Sequence, residues 1–267
     1  MRVIPGHTFE MGSDRFYPEE RPARPASVST FRIDATPVTN AMFARFVEVT
    51  GHVTEAERGE DGRSGSLLFA FHDAGAASWR FVDGLSWRTP HGHASRWNSI
   101  EHHPVVHVGH SDAQAYAAWA GKRLATEVEW EAAARGGLQG CDYAWGDTLT
   151  IDDRIPASIW EGDFPSSRTQ GRELPFSTPV ASHEPNGFGL FDMIGNVWEW
   201  TATKAPPFDA KPSCCGTERQ IEAEGGVIKG GSHLCAPNWC RRYRPAARQI
   251  GTVPTSHIGF RCAADLS

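Results

Sequence analysis

No apolar run in this 267-residue chain approaches the roughly 20 residues that cross a bilayer, which excludes a helical membrane span. The N-terminus, MRVIPGHTFEMGS, lacks the apolar segment of a secretory signal. A basic excess is missing too. Against 26 Lys and Arg stand 32 Asp and Glu, a net charge of −6, which argues against a nucleic-acid partner. There is no GxSxG, GxGxxG or P-loop, so the commonest hydrolase, dinucleotide and kinase signatures drop out. Internal repeats, low-complexity tracts and linkers are likewise absent. These absences describe a soluble, cytoplasmic protein, expected to form one domain over residues 1–267.

Among six cysteines (Cys141, Cys214, Cys215, Cys235, Cys240 and Cys262) no CxxC…CxxC zinc pattern occurs. In a reducing compartment, structural disulfides are rare. Ten Trp, 27 Gly and 18 Pro suit a loop-rich fold whose gaps are filled by aromatic rings.

Three helices are legible. One follows Thr39-Asn40, presents Phe43, Phe46 and Val47, and stops at Gly51. A second opens at Ser111 with a capping-box pattern and should bury Ala115, Ala118 and Trp119. A third opens at Thr126, buries Trp130, Ala133 and Ala134, and ends at Gly136-Gly137. Strands are expected at 104–108, 188–193, 195–200 and 257–264, with mobile loops at 57–66 and 203–226. The fold class is therefore α+β, with little regular secondary structure.

Chemistry concentrates in KGGSHLCAPNWCRRYRPAAR, Lys229 to Arg248. Thiolates are soft ligands that select Cu(I), Zn or iron–sulfur clusters. Zinc wants four ligands, and His233 is the one nearby extra donor; two thiolates suffice for Cu(I). Arg241, Arg242 and Arg244 would favour the thiolate form. A disulfide, or a buried pair of small side chains, fits the spacing as well. In FDMIGNVWEW, Asp192 and Glu199 bracket the Gly195-Asn196 turn, a donor set that suits Ca²⁺ or simply a solvated Asp and a salt-bridged Glu. Of His102, His103, His107 and His110, an extended 104–108 would put only His103 and His107 on one face, and hydrogen-bonded histidines explain them better than a metal site does. Cys214-Cys215 could be a redox pair or incidental, and Cys262 is expected to be a buried thiol.

Taken in order, the segments IPGHTFEMGS, YPEERPA, ATPVTNAMFARFV, HPVVHV, DAQAYAAWAGKRLATEVEWEAAARGG, YAWGD, NGFGLFDMIGNVWEWT, KGGSHLCAPNWCRRYRPAAR and HIGFRCAAD resemble the bacterial formylglycine-generating enzymes, or sulfatase-modifying factors. The resemblance runs from Val3 to Asp265. It implies the family's variant of the C-type-lectin-like fold. It also implies an O₂-dependent copper oxidase that converts the cysteine of a Cys-x-Pro-x-Arg motif, in an unfolded or nascent sulfatase polypeptide, to Cα-formylglycine. A thiol reductant would supply electrons, and the enzyme would act as a monomer without nucleic acid or membrane. By position, Cys235 and Cys240 would bind Cu(I), and the substrate thiolate would join them. Ser232 would serve the oxygen and substrate pocket, with Trp198, Trp239 and Arg244 around it. A structural Ca²⁺ would be held by Asp192, Glu199 and the carbonyls of Gly195 and Val197.

The chain departs from the family pattern at several positions. Trp239 stands where Tyr is frequent, and Ala125 replaces a Pro. A second calcium site is not expected, because Ser158 and Arg172 occupy its ligand positions. Ala134 and Pro245 replace the disulfide cysteines of secreted relatives. Two alternatives keep the resemblance: the same copper site acting on a natural-product or other peptide thiol, and a non-catalytic binding paralogue. A sulfur-transferring iron oxygenase is disfavoured, since its N-terminal helical domain has no counterpart here.

Overall fold

The computed structural model describes residues 1–59, 62–72, 77–166, 177–205 and 225–266. Its longest helix, α1 (Asn40–Thr50), starts where Thr39 accepts a hydrogen bond from the Met42 amide and stops at Gly51, which sits at φ 68°. Phe43, Phe46 and Val47 are buried, as the spacing requires. A short helix α2 (Glu55–Arg58), not anticipated, carries a complete capping box between Thr54 and Glu57. Helix α4 (Glu127–Ala134) has the expected box between Thr126 and Glu129, and the glycines that follow it both adopt positive φ.

Helix α3 (His110–Trp119) corrects the reading of its face. Its N-cap is Gly109, whose amide donates to Asp112 at 2.8 Å, while Ser111 is spent on Glu55. The buried face is Asp112, Ala113, Tyr116 and Ala117, and Trp119 is 38% exposed. Alanines at four of its ten positions leave the periodicity undecided. Tyr116, in ring contact with Phe43 and Phe260, decides it.

Twelve strands are described: β1 (Arg2–Ile4), β2 (His7–Met11), β3 (Arg24–Val28), β4 (Phe31–Ile33), β5 (Gly65–Phe71), β6 (Ala77–Asp83), β7 (Arg123–Leu124), β8 (Trp198–Lys204), β9 (Gly226–Lys229), β10 (Arg248–Gly251), β11 (Ile258–Phe260) and β12 (Cys262–Asp265). One antiparallel sheet has the order β1-β4-β12-β7. A second has the order β10-β9-β8-β11, with β11 parallel to β8. Two hairpins, β2–β3 and β5–β6, complete the set.

Several expected strands do not form. Residues 104–108 make a single bridge, Thr39 to Pro104, and His107 at φ 59° ends any extended run. His103 and His107 therefore share no strand face. In 188–193, Gly189 and Asp192 have positive φ, and the Asn186 side chain accepts from the amides of Phe188 and Leu190 to hold a turn. The 195–200 strand begins only at Trp198, because Gly195 (φ 77°) and Asn196 (φ 54°) turn first. The 257–264 segment divides at Arg261 into two strands of different sheets. Of the expected loop at 57–66, Glu57 and Arg58 are helical and Gly65 and Ser66 extended. Residues 206–224, with Cys214 and Cys215, lie outside the described residues, as does Arg172.

Side chains gather into separate cores. Phe43, Tyr116, Trp198, Trp200, Ile228 and Phe260 fill the space between α1, α3 and the second sheet. Ile4, Ile33, Trp130, Met193 and Ala263 join α4 to the first sheet. A third cluster, Tyr143, Ala157, Ile159, Ile194 and Tyr243, is built mainly from loops and contains both Cys235 and Cys240.

Candidate metal centre

The loop 230–247 links β9 to β10, which pair antiparallel in the register Lys229↔Arg248. Both feet are tied to α4. Lys229, fully buried, reaches Glu131 at 2.9 Å, and Arg248 reaches Glu127 at 2.7 Å. The loop leaves its strand through two glycines that admit no substitute. A Cβ on Gly230 would stand 2.8 Å from the Met193 carbonyl, and one on Gly231 would stand 2.5 Å from the Arg242 carbonyl. Both residues also have positive φ. This tight exit places Ser232 in the interior.

Backbone bonds then set the cysteines. The Ser232 carbonyl accepts from the Cys235 amide at 2.9 Å, and the Cys235 carbonyl accepts from the Trp160 amide at 3.0 Å. The Cys240 carbonyl accepts from the Tyr17 hydroxyl at 2.7 Å. The two thiols, five residues apart, are buried in one apolar cluster. Among the described residues no group of three or more His, Cys, Asp or Glu forms a metal-binding set. Two soft donors among aromatic and aliphatic side chains suit a two-coordinate soft ion such as Cu(I) better than four-coordinate zinc.

Two arginines of the basic run, Arg242 and Arg244, are neutralised from the far end of the chain. Arg244, 1% exposed, makes a two-pronged pair with Glu20, at 2.6 and 2.5 Å, over the ring of Phe16. Arg242 pairs with Glu19 at 2.5 Å over Tyr17. These arginines fasten residues 16–20 to the loop, and carboxylates there match their charge. The acidic pair in YPEERPA, set against an arginine run, was the unread signal.

The remaining site residues divide. Ser232 is fully buried, and its Oγ accepts from the Leu234 amide at 3.3 Å. Trp239, half exposed, lies against Phe164, with ring centroids 5.5 Å apart. Phe164 continues to Trp160 and to Phe69 on β5. Trp198, by contrast, packs in the core between α1, α3 and the second sheet, not in the cysteine cluster.

The hard-donor segment abuts the loop. The Gly195 amide donates to the Gly230 carbonyl at 3.0 Å, and the His233 amide to the Asn196 carbonyl at 2.9 Å. Glu199, buried, takes Arg261 on both oxygens and the Trp130 indole on Oε2, so one lone pair remains on Oε1. Asp192 accepts from the Ala181 amide at 2.8 Å, and burial pushes its carboxyl above the usual range. A carboxylate that is costly to ionise, beside a turn with buried carbonyls, fits a hard cation. Ser158 is engaged by Thr178 and His183.

The histidines took a different grouping from the expected one. His91 feels the charge of His233, His103 and His107, and His257 that of His233 and His107. Burial pushes His107 down to about 4 and His91 to about 3, so both are neutral at physiological pH. His107 is spent on Ser66 and the Pro90 carbonyl, and His103 on Ser177. Cys262 is fully buried, and its thiol is pushed well up by desolvation. No helix among the described residues is long and apolar enough to cross a membrane.

Comparison with known proteins finds relatives along the whole chain. The profile of the sulfatase-modifying factor enzyme 1-like domain matches residues 1–266. The formylglycine-generating enzyme of Mycobacterium tuberculosis is 44% identical, over 98% of this chain and 96% of its own. That of Streptomyces coelicolor is 45% identical, over 98% and 88%. In three dimensions PvdO from Pseudomonas aeruginosa superposes with a TM-score of 0.65 at 24% identity, covering 99% of this chain and 93% of its own, a likeness of fold. With its C-type-lectin-like architecture and the profile match across its length, the chain belongs to the sulfatase-modifying factor enzyme family.

Proposed function

We propose that this protein is a formylglycine-generating oxidase: it converts a cysteine in a Cys-x-Pro-x-Arg segment of a sulfatase polypeptide to Cα-formylglycine, with O₂ as oxidant and a thiol as reductant. The observation that carries the reading is the burial of Cys235 and Cys240 together in an apolar cluster on one rigid loop. Family membership and the names of its 44–45% identical relatives support the reaction. Written in balance, one peptidyl cysteine, one O₂ and two reductant thiols give the aldehyde, hydrogen sulfide, a disulfide and water.

Cys235 and Cys240 would hold Cu(I), which when bound supplies a soft site for the substrate thiolate and the means to reduce O₂. The chain's own residues do the rest. Tyr143, Ile159 and Ile194 exclude water around the sulfurs. Ser232, whose oxygen accepts from the Leu234 amide, keeps its proton to donate to substrate or oxygen. Trp239 and Phe164 offer a partly exposed aromatic rim to an extended peptide. The ion pairs of Arg242 and Arg244 hold the loop still, so that the thiol pair is preorganised. Structural Ca²⁺ would be held by Asp192, the Gly195 and Val197 carbonyls, and the remaining lone pair of Glu199.

The test is mass spectrometry of a Cys-x-Pro-x-Arg peptide incubated with copper-loaded protein, O₂ and a thiol reductant, beside Cys235→Ala and Cys240→Ala. Wild type should form the aldehyde and each variant should lose at least about a thousandfold in rate. Tight Cu(I) binding without conversion would redirect the site to another thiol substrate. Neither binding nor conversion would leave a binding module.

A further inference from the structure

The two cysteines are held at the backbone in different ways. Cys235 is tied by its amide to the Ser232 carbonyl and by its carbonyl to the Trp160 amide. Cys240 sits in a turn where the Trp239 and Arg241 amides both donate to the Ala236 carbonyl, at 3.1 and 3.3 Å. That turn ends on Arg241 at φ 47°, a left-handed conformation that a non-glycine residue keeps only when its surroundings impose it. Two side chains grip consecutive carbonyls at this point. The Tyr17 hydroxyl donates to the carbonyl of Cys240 at 2.7 Å, and Arg244 Nε donates to that of Arg241 at 2.9 Å. Tyr17 reaches this place on a built support. It precedes the single 3₁₀ turn Pro18–Glu20, and its carbonyl accepts from the Glu20 amide at 3.0 Å. The Glu20 carbonyl in turn accepts from the Ser13 amide at 3.1 Å. Above the Tyr17 ring lies the Arg242 guanidinium, 3.8 Å from the centroid, so the phenol's orientation is set by backbone and side chain together.

We propose that Tyr17 is a positioning residue for the thiol pair: its hydroxyl, bound to the Cys240 carbonyl, fixes the 236–241 turn and with it the place of the Cys240 side chain relative to Cys235. This rests on the copper reading above, and it deepens that reading by naming the group that sets the second ligand. A two-coordinate ion tolerates little error in the placement of either donor, so a bond that acts on the backbone of one ligand acts on affinity.

Tyr17→Phe removes the hydroxyl and keeps the ring under Arg242. One hydrogen bond is lost, so the unfolding temperature should fall by about 2–4 °C. Thr39→Ala, which removes the cap of α1, should lower it comparably without touching the turn, and serves as the control. In metal-free protein, hydrogen–deuterium exchange should run about tenfold faster across 236–241 in Tyr17→Phe, with the Cys235 and Trp160 amides unchanged. Anaerobic Cu(I) titration against a competing chelator should show affinity weakened about tenfold in Tyr17→Phe and unchanged in Thr39→Ala. Unchanged exchange across 236–241 would overturn the assignment, and so would faster exchange with wild-type Cu(I) affinity, since the turn would then move without displacing the ligand. An equal loss of affinity in both variants would also overturn it, as an effect of stability alone. If wild type bound no Cu(I) while exchange still rose at 236–241 alone, the copper reading would fail and the hold of Tyr17 on the Cys240 turn would stand.

Discussion

Two donor sets lie side by side and are built in opposite ways. The thiols of Cys235 and Cys240 sit among aromatic and aliphatic side chains, and the nearby Arg242 and Arg244 are paired with carboxylates. The carboxylates of Asp192 and Glu199, joined to the same loop through the Gly195–Gly230 and Asn196–His233 bonds, are crowded with amide, indole and guanidinium donors. A soft ion needs polarizable sulfur and little else, so its pocket can be dry. A hard ion needs several oxygens, and each buried carboxylate must be compensated even without it. The contrast teaches that the loop is anchored at its feet and arginines by ion pairs while the thiol pocket itself is apolar.

The largest way to break this arrangement is to strip the charge from behind the pocket. Glu20→Ala would leave the buried Arg244 guanidinium unmatched, and should destabilise the fold by about 3–5 kcal/mol in denaturant titration. Glu20→Gln should cost less, because its amide still accepts one of the two bonds.

Acid should separate the regions next. His107 has a folded value near 4 against an ordinary 6.5, so below pH 6.5 the unfolded chain takes up a proton that the folded chain refuses. Its contribution is neutral above pH 6.5, turns destabilising as pH falls through the interval from 6.5 to 4, and levels off below, at about 3 kcal/mol. His107→Gln should flatten that part of the pH–stability curve, measured by urea unfolding at each pH.

Calcium gives a smaller and more selective test. Added Ca²⁺ at about a hundredfold its dissociation constant should raise stability by about 2.7 kcal/mol, and a calcium chelator should reverse it. Asp192→Asn should abolish the increment while leaving Cu(I) binding by the thiols intact. Equal unfolding temperatures with and without Ca²⁺ would remove the hard site from the comparison.

The smallest effect belongs to the rim. Trp239 is half exposed, so Trp239→Tyr should change stability by no more than about 0.5 kcal/mol. Its effect should appear in peptide conversion, as a change in KM or kcat without a change in unfolding temperature.

Sequence alone determined what depends on neighbours along the chain. The Thr39 and Thr126 caps, the Gly51 stop, the buried faces of α1 and α4 and the motif order that marks the family were all legible, because capping and helical periodicity act over three or four residues. The thiol pair was legible by spacing, and its burial in one cluster was not. Tertiary structure decided the rest. It divided 257–264 between two sheets at Arg261, whose guanidinium is claimed by Glu199 62 residues earlier. It chose the face of α3 through Tyr116, and turned 188–193 and 104–108 out of strand geometry with positive φ at Asp192 and His107. It also brought Glu19 and Glu20 to arginines 223 and 224 residues away. Charge pairing and aromatic packing act across space, and local pattern carries no record of which distant partner will satisfy a buried group.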